Sequence, residues 1–226
     1  MQSVRIWDLP TRLFHWALAL AVIGLIVTGK IGSDAMVWHG RLGYVVLTLL
    51  LFRLVWGVVG GHWSRFASFV PGPARLVRYL RGQATPEDLA GHNPLGALSV
   101  LAMLLVLAVQ AGTGLFADDD IAFSGPLTTL VSNSAVAAAT RYHKGIGQWL
   151  VIALVVLHLL AISVYLLRGK PLVRAMVSGD KTLSPELAVR PAQDGAGRRL
   201  TALLVLALAA GVVAWLVTSA PPAAMY

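Results

Sequence analysis

Histidine is the residue type of this chain best suited to chemistry, because the absence of cysteine excludes thiolate ligands, disulfides, iron–sulfur clusters and covalently attached haem. Four of the six histidines, His15, His39, His143 and His158, lie within or at the ends of strongly apolar stretches. Ionisable groups in such stretches are costly and usually mark function. His143 and His158 are 15 residues apart, which is about 22 Å along a helix and within roughly 60° of the same face. One helix therefore presents two imidazoles at two depths.

Neighbouring helices supply a partner at each depth. His15 can face His158, and His39 can face His143. Two opposed imidazoles from facing helices form a bis-histidine axial site for a haem iron. The crossed pairing of His15 with His143 would require ligands from opposite ends of the helices, and zinc would require all ligands to converge on one point. The pairing of His15 with His158 matches in depth only if the helix that carries His158 is tilted or extends past the membrane.

The composition identifies the setting of these histidines. Of 226 residues, 57% are hydrophobic and 12% are charged, against about 25% charged in ordinary soluble domains. The mean hydropathy is +0.74 and the net charge +8. A soluble globular domain, a disordered chain and a nucleic-acid-binding module all fit poorly. The sequence therefore predicts an integral protein of the lipid bilayer.

Five stretches are long and apolar enough to cross a bilayer as helices. They run from about Leu13 to Gly29, His39 to Val59, Leu95 to Phe116, His143 to Leu167 and Leu200 to Thr218. The first stretch resembles a secretory signal, but no small-residue cleavage site follows it, so we expect a retained helix.

Lysine and arginine are distributed asymmetrically between the predicted loops. The N-terminal head, the loop between the second and third spans and the loop between the fourth and fifth spans hold 13 of the 18 basic residues. The opposite loops hold only Lys30 and Arg141. The positive-inside rule then predicts a cytoplasmic N-terminus and a C-terminal Ser-Ala-Pro-Pro tail on the outer side.

Three basic residues are candidate partners for haem propionates. Arg53 lies 14 residues after His39, about 21 Å further along the helix and within roughly 40° of the same face. A buried arginine needs an anionic partner, and the open alternative is snorkelling to lipid phosphate. Arg12 and Lys144 lie within one turn of predicted ligands, and they either bind propionates or are ordinary flanking charges.

Other polar residues have a simpler interpretation. His62 and His92 flank a predicted inner loop, and we interpret them as interfacial residues. Asp118, Asp119 and Asp120 lie in a predicted outer loop, either as a solvated turn or as a docking patch for a basic redox protein.

The histidines and their local context resemble the bacterial cytochrome b561 family, which includes the b-type cytochrome subunit of nickel–iron hydrogenases. The similar segments are DLPTRLFHW at 8–16, WHGRLG at 38–43, YHKGIG at 142–147, and His158. The resemblance covers about residues 1–175. It implies a four-helix bundle holding two b haems, with His15, His39, His143 and His158 as axial ligands. It also implies electron exchange with ubiquinone or ubiquinol and, in some members, with a periplasmic redox protein or superoxide.

We therefore expect an all-α membrane protein: a four-helix transmembrane bundle that binds two haems, plus a fifth transmembrane helix. The expected organisation is a core at 1–175, a cytoplasmic linker at 176–199, and the fifth helix with a short outer tail at 200–226. The expected function is electron transfer across the bacterial inner membrane, between the quinone pool and a periplasmic partner such as a c-type cytochrome. Three alternatives stay open: a superoxide:quinone oxidoreductase, the membrane anchor of a hydrogenase-like complex, and a cofactor-free transporter or scaffold. No nucleic-acid partner is expected, and a homo-oligomer stays open.

Overall fold

The protein is described by a computed structural model that covers residues 1–121 and 123–219. Within these residues, five helical segments are long and apolar enough to cross a membrane. They are α1 (Leu9–Ile31), α2 (Ala35–Val59), α6 (Pro94–Leu115), the segment Asn133–Leu167, and α10 (Ala196–Thr218). The predicted all-α membrane fold with five spanning helices is thus confirmed. The predicted outer tail lies, apart from Ser219, outside the described residues.

The fourth span begins ten residues earlier than the sequence predicted. Helix α7 (Asn133–Tyr142) starts where the Ser132 side chain accepts a hydrogen bond from the Ala135 amide, as a helix N-cap does. A π-helical turn (His143–Gly147) then joins α7 to α8 (Gln148–Leu167), with a kink at Gly145 (φ −94°, ψ −116°). Turns of this kind inside helices are rare and occur frequently at functional sites.

Short elements fill the segments between the spans. They are α3 (Phe66–Phe69), α4 (Pro73–Leu80), α5 (Pro86–Ala90), α9 (Leu172–Ser178), β1 (Gln2–Arg5), β2 (Asp180–Leu183) and a 3₁₀ turn (Thr128–Leu130). The two strands pair antiparallel, from Gln2 opposite Leu183 to Arg5 opposite Asp180. The segment after the fourth span, expected as a linker, is therefore hydrogen-bonded to the N-terminus.

The chain divides into two compact units. The first unit comprises Met1–His15, Arg53–Met103 and Val155–Leu204, and the second comprises Trp16–Phe52, Leu104–Leu154 and the residues from Val205 onward. The first unit has an apolar core cluster, which consists of Ile6, Trp7, Trp63, Ala90, Ala175 and Leu183. Within the second unit, residues from α1, α2, α6 and the π-turn surround a cavity of about 520 Å³.

Candidate functional site

Two of the predicted histidines meet in the second unit. His39 lies in the second turn of α2, and His143 is the first residue of the π-turn. Their ring centres are 6.0 Å apart and their ring planes are 85° from parallel. The structure thus brings these two predicted ligands close together.

Both rings are oriented by hydrogen bonds to helix carbonyls. The Nδ1 atom of His39 lies 3.0 Å from the Leu25 carbonyl oxygen, and the Nδ1 atom of His143 lies 2.9 Å from the Gln110 carbonyl oxygen. A carbonyl oxygen only accepts, so Nδ1 must carry the proton in each ring. The remaining nitrogen, Nε2, is then the unprotonated atom with a lone pair for a metal ion. A backbone carbonyl behind a ligating imidazole is the usual second layer of a metal site.

The cavity beside these rings suits a flat, largely apolar ligand. Its volume of about 520 Å³ lies in the range of about 300–1,000 Å³ that is usual for small-molecule sites. Gly40, Gly43 and Gly114 contribute to its wall together with both histidines. Position 43 is open, since a Cβ atom there would meet nothing within 4 Å. Gly43 thus leaves room for a ring system close to the backbone.

The second predicted pair lies in the first unit. His15 of α1 and His158 of α8 have ring centres 6.3 Å apart and ring planes 50° from parallel. The sequence left this pairing conditional on a match in depth, and the two rings do meet.

The spacing within both pairs fits a shared metal ion. An imidazole nitrogen binds a metal at about 2 Å and its ring centre lies about 1 Å behind it, so two rings on one ion have centres about 6 Å apart. Among the described residues, no group of three or more His, Cys, Asp or Glu side chains converges on one point. Two opposed imidazoles without a further protein ligand suit an iron whose other four donors come from a porphyrin.

Arg53 is buried in a polar network of the first unit. It is 3% exposed, donates to the Ser64 carbonyl oxygen at 3.0 Å and lies 4.6 Å from the ring centre of Phe66. The Ser64 hydroxyl donates to Asp8 at 2.6 Å, and Thr11 contacts both residues. Burial of Arg53 argues against snorkelling to lipid phosphate, and its role as a propionate ligand stays a prediction.

Of the other two basic candidates, Arg12 lies in the first unit and Lys144 lies in the second. Arg12 donates to the Val177 carbonyl oxygen at 2.6 Å, while its Nε atom is buried without a hydrogen-bond partner among the described residues. That donor is consistent with an anionic ligand. Lys144 is exposed at the cavity wall of the second unit. Both propionate assignments stay predictions.

His62 and His92 differ from each other in the structure. His62 is half-buried and packs against the Trp63 ring, with centres 5.0 Å apart. The His92 ring lies between Trp7 and Phe69, at 4.7 and 4.6 Å. His92, which is also half-buried, therefore packs between aromatic side chains from distant parts of the sequence, and its interpretation as an interfacial residue stays a prediction.

Sequence reasoning missed the groups that hold the ligands. Gln110 holds His143 at two points, since its side-chain amide also donates to the His143 backbone carbonyl at 3.0 Å. A polar Gln inside an apolar span was an available signal. The Asp8, Thr11 and Ser64 network carried no comparable signal, because it joins residues more than 50 positions apart.

Five spanning helices with paired inward histidines are the arrangement of a membrane-bound b-type cytochrome. The sequence description of prokaryotic cytochrome b561 matches residues 6–179, and the chain belongs to this family. It is therefore a multi-pass membrane protein that uses haem b in electron transfer.

Curated relatives extend this likeness over most of the chain. Probable Ni/Fe-hydrogenase B-type cytochrome subunits are 29% identical over 214 residues in Azotobacter vinelandii (78% of this chain, 88% of the relative) and 25% identical over 219 residues in Cupriavidus necator (80% and 88%). A probable Ni/Fe-hydrogenase 1 B-type cytochrome subunit of Escherichia coli K12 is 24% identical over 209 residues (77% and 88%). No solved structure matches the chain significantly. The fifth helix, α10, lies outside the family match.

Proposed function

We propose that this chain carries two b haems, one between His39 and His143 and the other between His15 and His158. The observation that supports this most directly is the ring spacing of 6.0 and 6.3 Å in the two pairs. Bound haem would supply one-electron transfer, and an iron held by two imidazoles would have no open position for oxygen or substrate. The function of the chain is then outer-sphere electron transfer.

The residues of the chain perform the positioning in this proposal. Each second-unit imidazole keeps its proton on Nδ1 and directs Nε2 away from its supporting helix. The wall of the cavity is mostly apolar and includes several glycines, so little polar surface lies against the ligand faces. Arg12, Arg53 and Lys144 are the cationic groups that we propose for the propionates. The buried Nε of Arg12, which has no hydrogen-bond partner among the described residues, supports this for the first unit.

We infer an inner-membrane location with the N-terminus in the cytoplasm. The 13 to 2 division of loop cations supports this orientation. The second-unit pair is then the outer one and the first-unit pair the inner one. The two together provide a route for electrons between the two faces of the membrane.

The partners that we propose are the quinone pool, with ubiquinone or ubiquinol as redox substrate, and a redox protein on the periplasmic side. The hydrogenase subunits among the relatives support a hydrogenase-like periplasmic partner, and a c-type cytochrome is the alternative. A superoxide:quinone oxidoreductase is a second candidate function, favoured by the basic Lys30 and Lys144 at the cavity wall. Asp118 and Asp119 line the same cavity and oppose the approach of an anion.

The haem count and the ligand pairing test the proposal together. A pyridine haemochrome assay on the purified protein should give about two b haems per chain. His39→Ala and His143→Ala should each remove the same spectral component, and His15→Ala and His158→Ala should each remove the other. The physical reason is that loss of one axial imidazole leaves its iron without a bis-histidine site.

The control is His62→Ala, which should leave both components in place because His62 packs only against Trp63 among the described rings. One haem per chain would eliminate one pair. Loss of the same component in His39→Ala and His158→Ala would show that the pairing itself is wrong.

A further inference from the structure

Two short segments of the second unit contact the predicted ligands in the same way. In α1 the segment is Leu25 to Gly29, and in α6 it is Gln110 to Gly114. Each begins with the residue whose carbonyl accepts the Nδ1 proton, continues with a threonine three positions later, and ends with a glycine at the fourth. This resemblance between distant helices suggests one structural device used twice.

The glycine makes the helix carbonyl accessible. A helical side chain covers the turn that precedes it, so a side chain at position 29 or 114 would cover the carbonyl four residues earlier. A Cβ atom on Gly29 would lie 3.1 Å from Cε1 of His39, and one on Gly114 would lie 2.9 Å from Cε1 of His143. Each imidazole therefore occupies the space that a side chain would fill.

The threonine adds a second acceptor to each ring. Thr28 Oγ1 donates its own proton to the Gly24 carbonyl at 2.7 Å and lies 3.3 Å from Nδ1 of His39. Thr113 Oγ1 donates to the Val109 carbonyl oxygen at 2.8 Å and lies 3.4 Å from Nδ1 of His143. Because each hydroxyl proton is used within the helix, the oxygen presents lone pairs to the ring. These contacts are longer than the carbonyl bonds, so the threonine is the weaker acceptor.

We propose that Thr28–Gly29 and Thr113–Gly114 are matched positioning pairs that fix the orientation and the electron-donating strength of the two outer axial ligands. This rests on the proposed function, in which His39 and His143 bind one haem. An acceptor behind Nδ1–H makes the imidazole a stronger donor to the metal. A stronger donor favours the oxidised iron, so the pairs hold the reduction potential of the outer haem down.

The threonine test uses the full-length, haem-loaded protein. Reduction potentials of both optical components would be measured by potentiometry in Thr28→Val and Thr113→Val, the outer component being the one lost in His39→Ala. We expect each variant to raise the potential of the outer component alone, and the Thr28→Ser and Thr113→Ser variants to restore it. Thr48→Val is the matched control, because the Thr48 hydroxyl donates to the Tyr44 carbonyl within its own helix.

The glycine variants test whether Gly29 and Gly114 set the orientation of the two imidazole rings. Electron paramagnetic resonance of the oxidised protein reports the angle between the two imidazole ring planes. We expect Gly114→Ala to change the signal of the outer haem more than Gly29→Ala, because the new Cβ atom at position 114 would lie closer to its histidine ring. Gly112→Ala is the control, since a Cβ there meets nothing within 4 Å. Loss of the outer component alone in Gly114→Ala would also support the proposal.

Three results would overturn the inference. They are unchanged potentials and signals in the threonine variants, equal shifts of both components, and an effect of Thr48→Val or Gly112→Ala as large as that of the test variants. Failure of the proposed function would appear differently, as a wild-type protein without the outer haem, and it would overturn both statements.

Discussion

The two compact units differ in the polar groups of their interiors. In the second unit, backbone carbonyls of Leu25 and Gln110 receive the imidazole protons. In the first unit, the polar groups are side chains. All the buried polar or charged residues found among the described part of the chain lie there; they are Asp8, Thr11, Arg53, Ser64 and Asp88.

This difference predicts which unit is more sensitive to the replacement of single side chains. A backbone carbonyl survives any side-chain replacement, so the second unit depends on the shape of its helices and on the residues that expose those carbonyls. A buried side-chain network depends on every member, because removal of one leaves the others desolvated and unpaired. We therefore expect single polar substitutions to damage the first unit more than the second.

The largest expected effect is that of Asp8→Ala. Asp8 accepts hydrogen bonds from the Thr11 amide at 2.8 Å and from the Ser64 hydroxyl at 2.6 Å, and its charge acts on the buried Arg53. Loss of the carboxylate should lower the free energy of unfolding by about 3 kcal/mol. On heating the purified protein, the His15–His158 spectral component should disappear before the His39–His143 component.

Two further variants serve as controls for this prediction. Asp8→Asn retains an oxygen acceptor for the Thr11 amide and should recover part of the loss. Asp34→Ala removes an exposed carboxylate of the second unit and should change stability by less than about 0.5 kcal/mol. If Asp8→Ala and Asp34→Ala melted alike, the first unit would not depend on its polar network.

The spans and the histidine pairs could be predicted from the sequence because both are local signals. An apolar run of 20 residues specifies a membrane helix without any partner, and the depth of a histidine follows from its place in that run. The α7 helix was missed because its sequence, NSAVAAATRY, is short and of mixed polarity, so it does not extend the apolar run that marks the fourth span.

The first unit was the least predictable region. Strands β1 and β2 have only four residues each, so neither carries a recognisable pattern alone. They pair although they lie near opposite ends of the chain. Trp7, Trp63 and Ala175 meet in one cluster only once the spans have brought three loops together. In the second unit, any residue type can supply the backbone carbonyls of Leu25 and Gln110, so the sequence carried no signal for these two acceptors.

Between pH 6.5 and 5, a smaller effect of at most about 2 kcal/mol on the free energy of unfolding should distinguish the first unit. Burial, together with the positive charges of Arg53 and Lys181 and the nearby His15, lowers the pKa of His92 to about 3. Below about pH 6.5 the unfolded chain takes up a proton that the folded chain does not, so stability falls as the pH drops from about 6.5 toward 3. The loss is at most about 1.4 kcal/mol per pH unit, and the group contributes no pH dependence above this window.

Denaturation in detergent, followed by tryptophan fluorescence between pH 4 and 7, would measure this slope. His92→Phe keeps an aromatic ring between Trp7 and Phe69 and should flatten the slope, although buried carboxylates still contribute to it. An identical slope in wild type and His92→Phe would show that His92 is not held neutral in the first unit.

The smallest expected effect concerns the acidic loop of the second unit. In the first unit, Asp8 and Asp88 are buried, whereas Asp120 is exposed and Asp118 and Asp119 are half-buried. Asp118 accepts from the Asp120 amide, and Asp119 accepts from the Ile121 and Phe123 amides. These bonds give two of the three acids a structural role in the turn, which leaves the Asp120 charge as the main candidate for docking a basic redox protein.

Substitution by asparagine separates charge from turn structure, because the amide oxygen can still accept the same backbone hydrogen bonds. Electron transfer from the reduced protein to a basic c-type cytochrome would be measured for wild type, Asp120→Asn and the triple Asp→Asn variant. If the loop steers the partner, Asp120→Asn should be slower at low salt and the triple variant slower still, by about tenfold. The differences should close at high salt, since the Debye length falls to about 3 Å at 1 M. Equal rates at low salt would mean that the acids serve the turn alone, and a partner within the membrane or a small anion would then be favoured over a docked cytochrome.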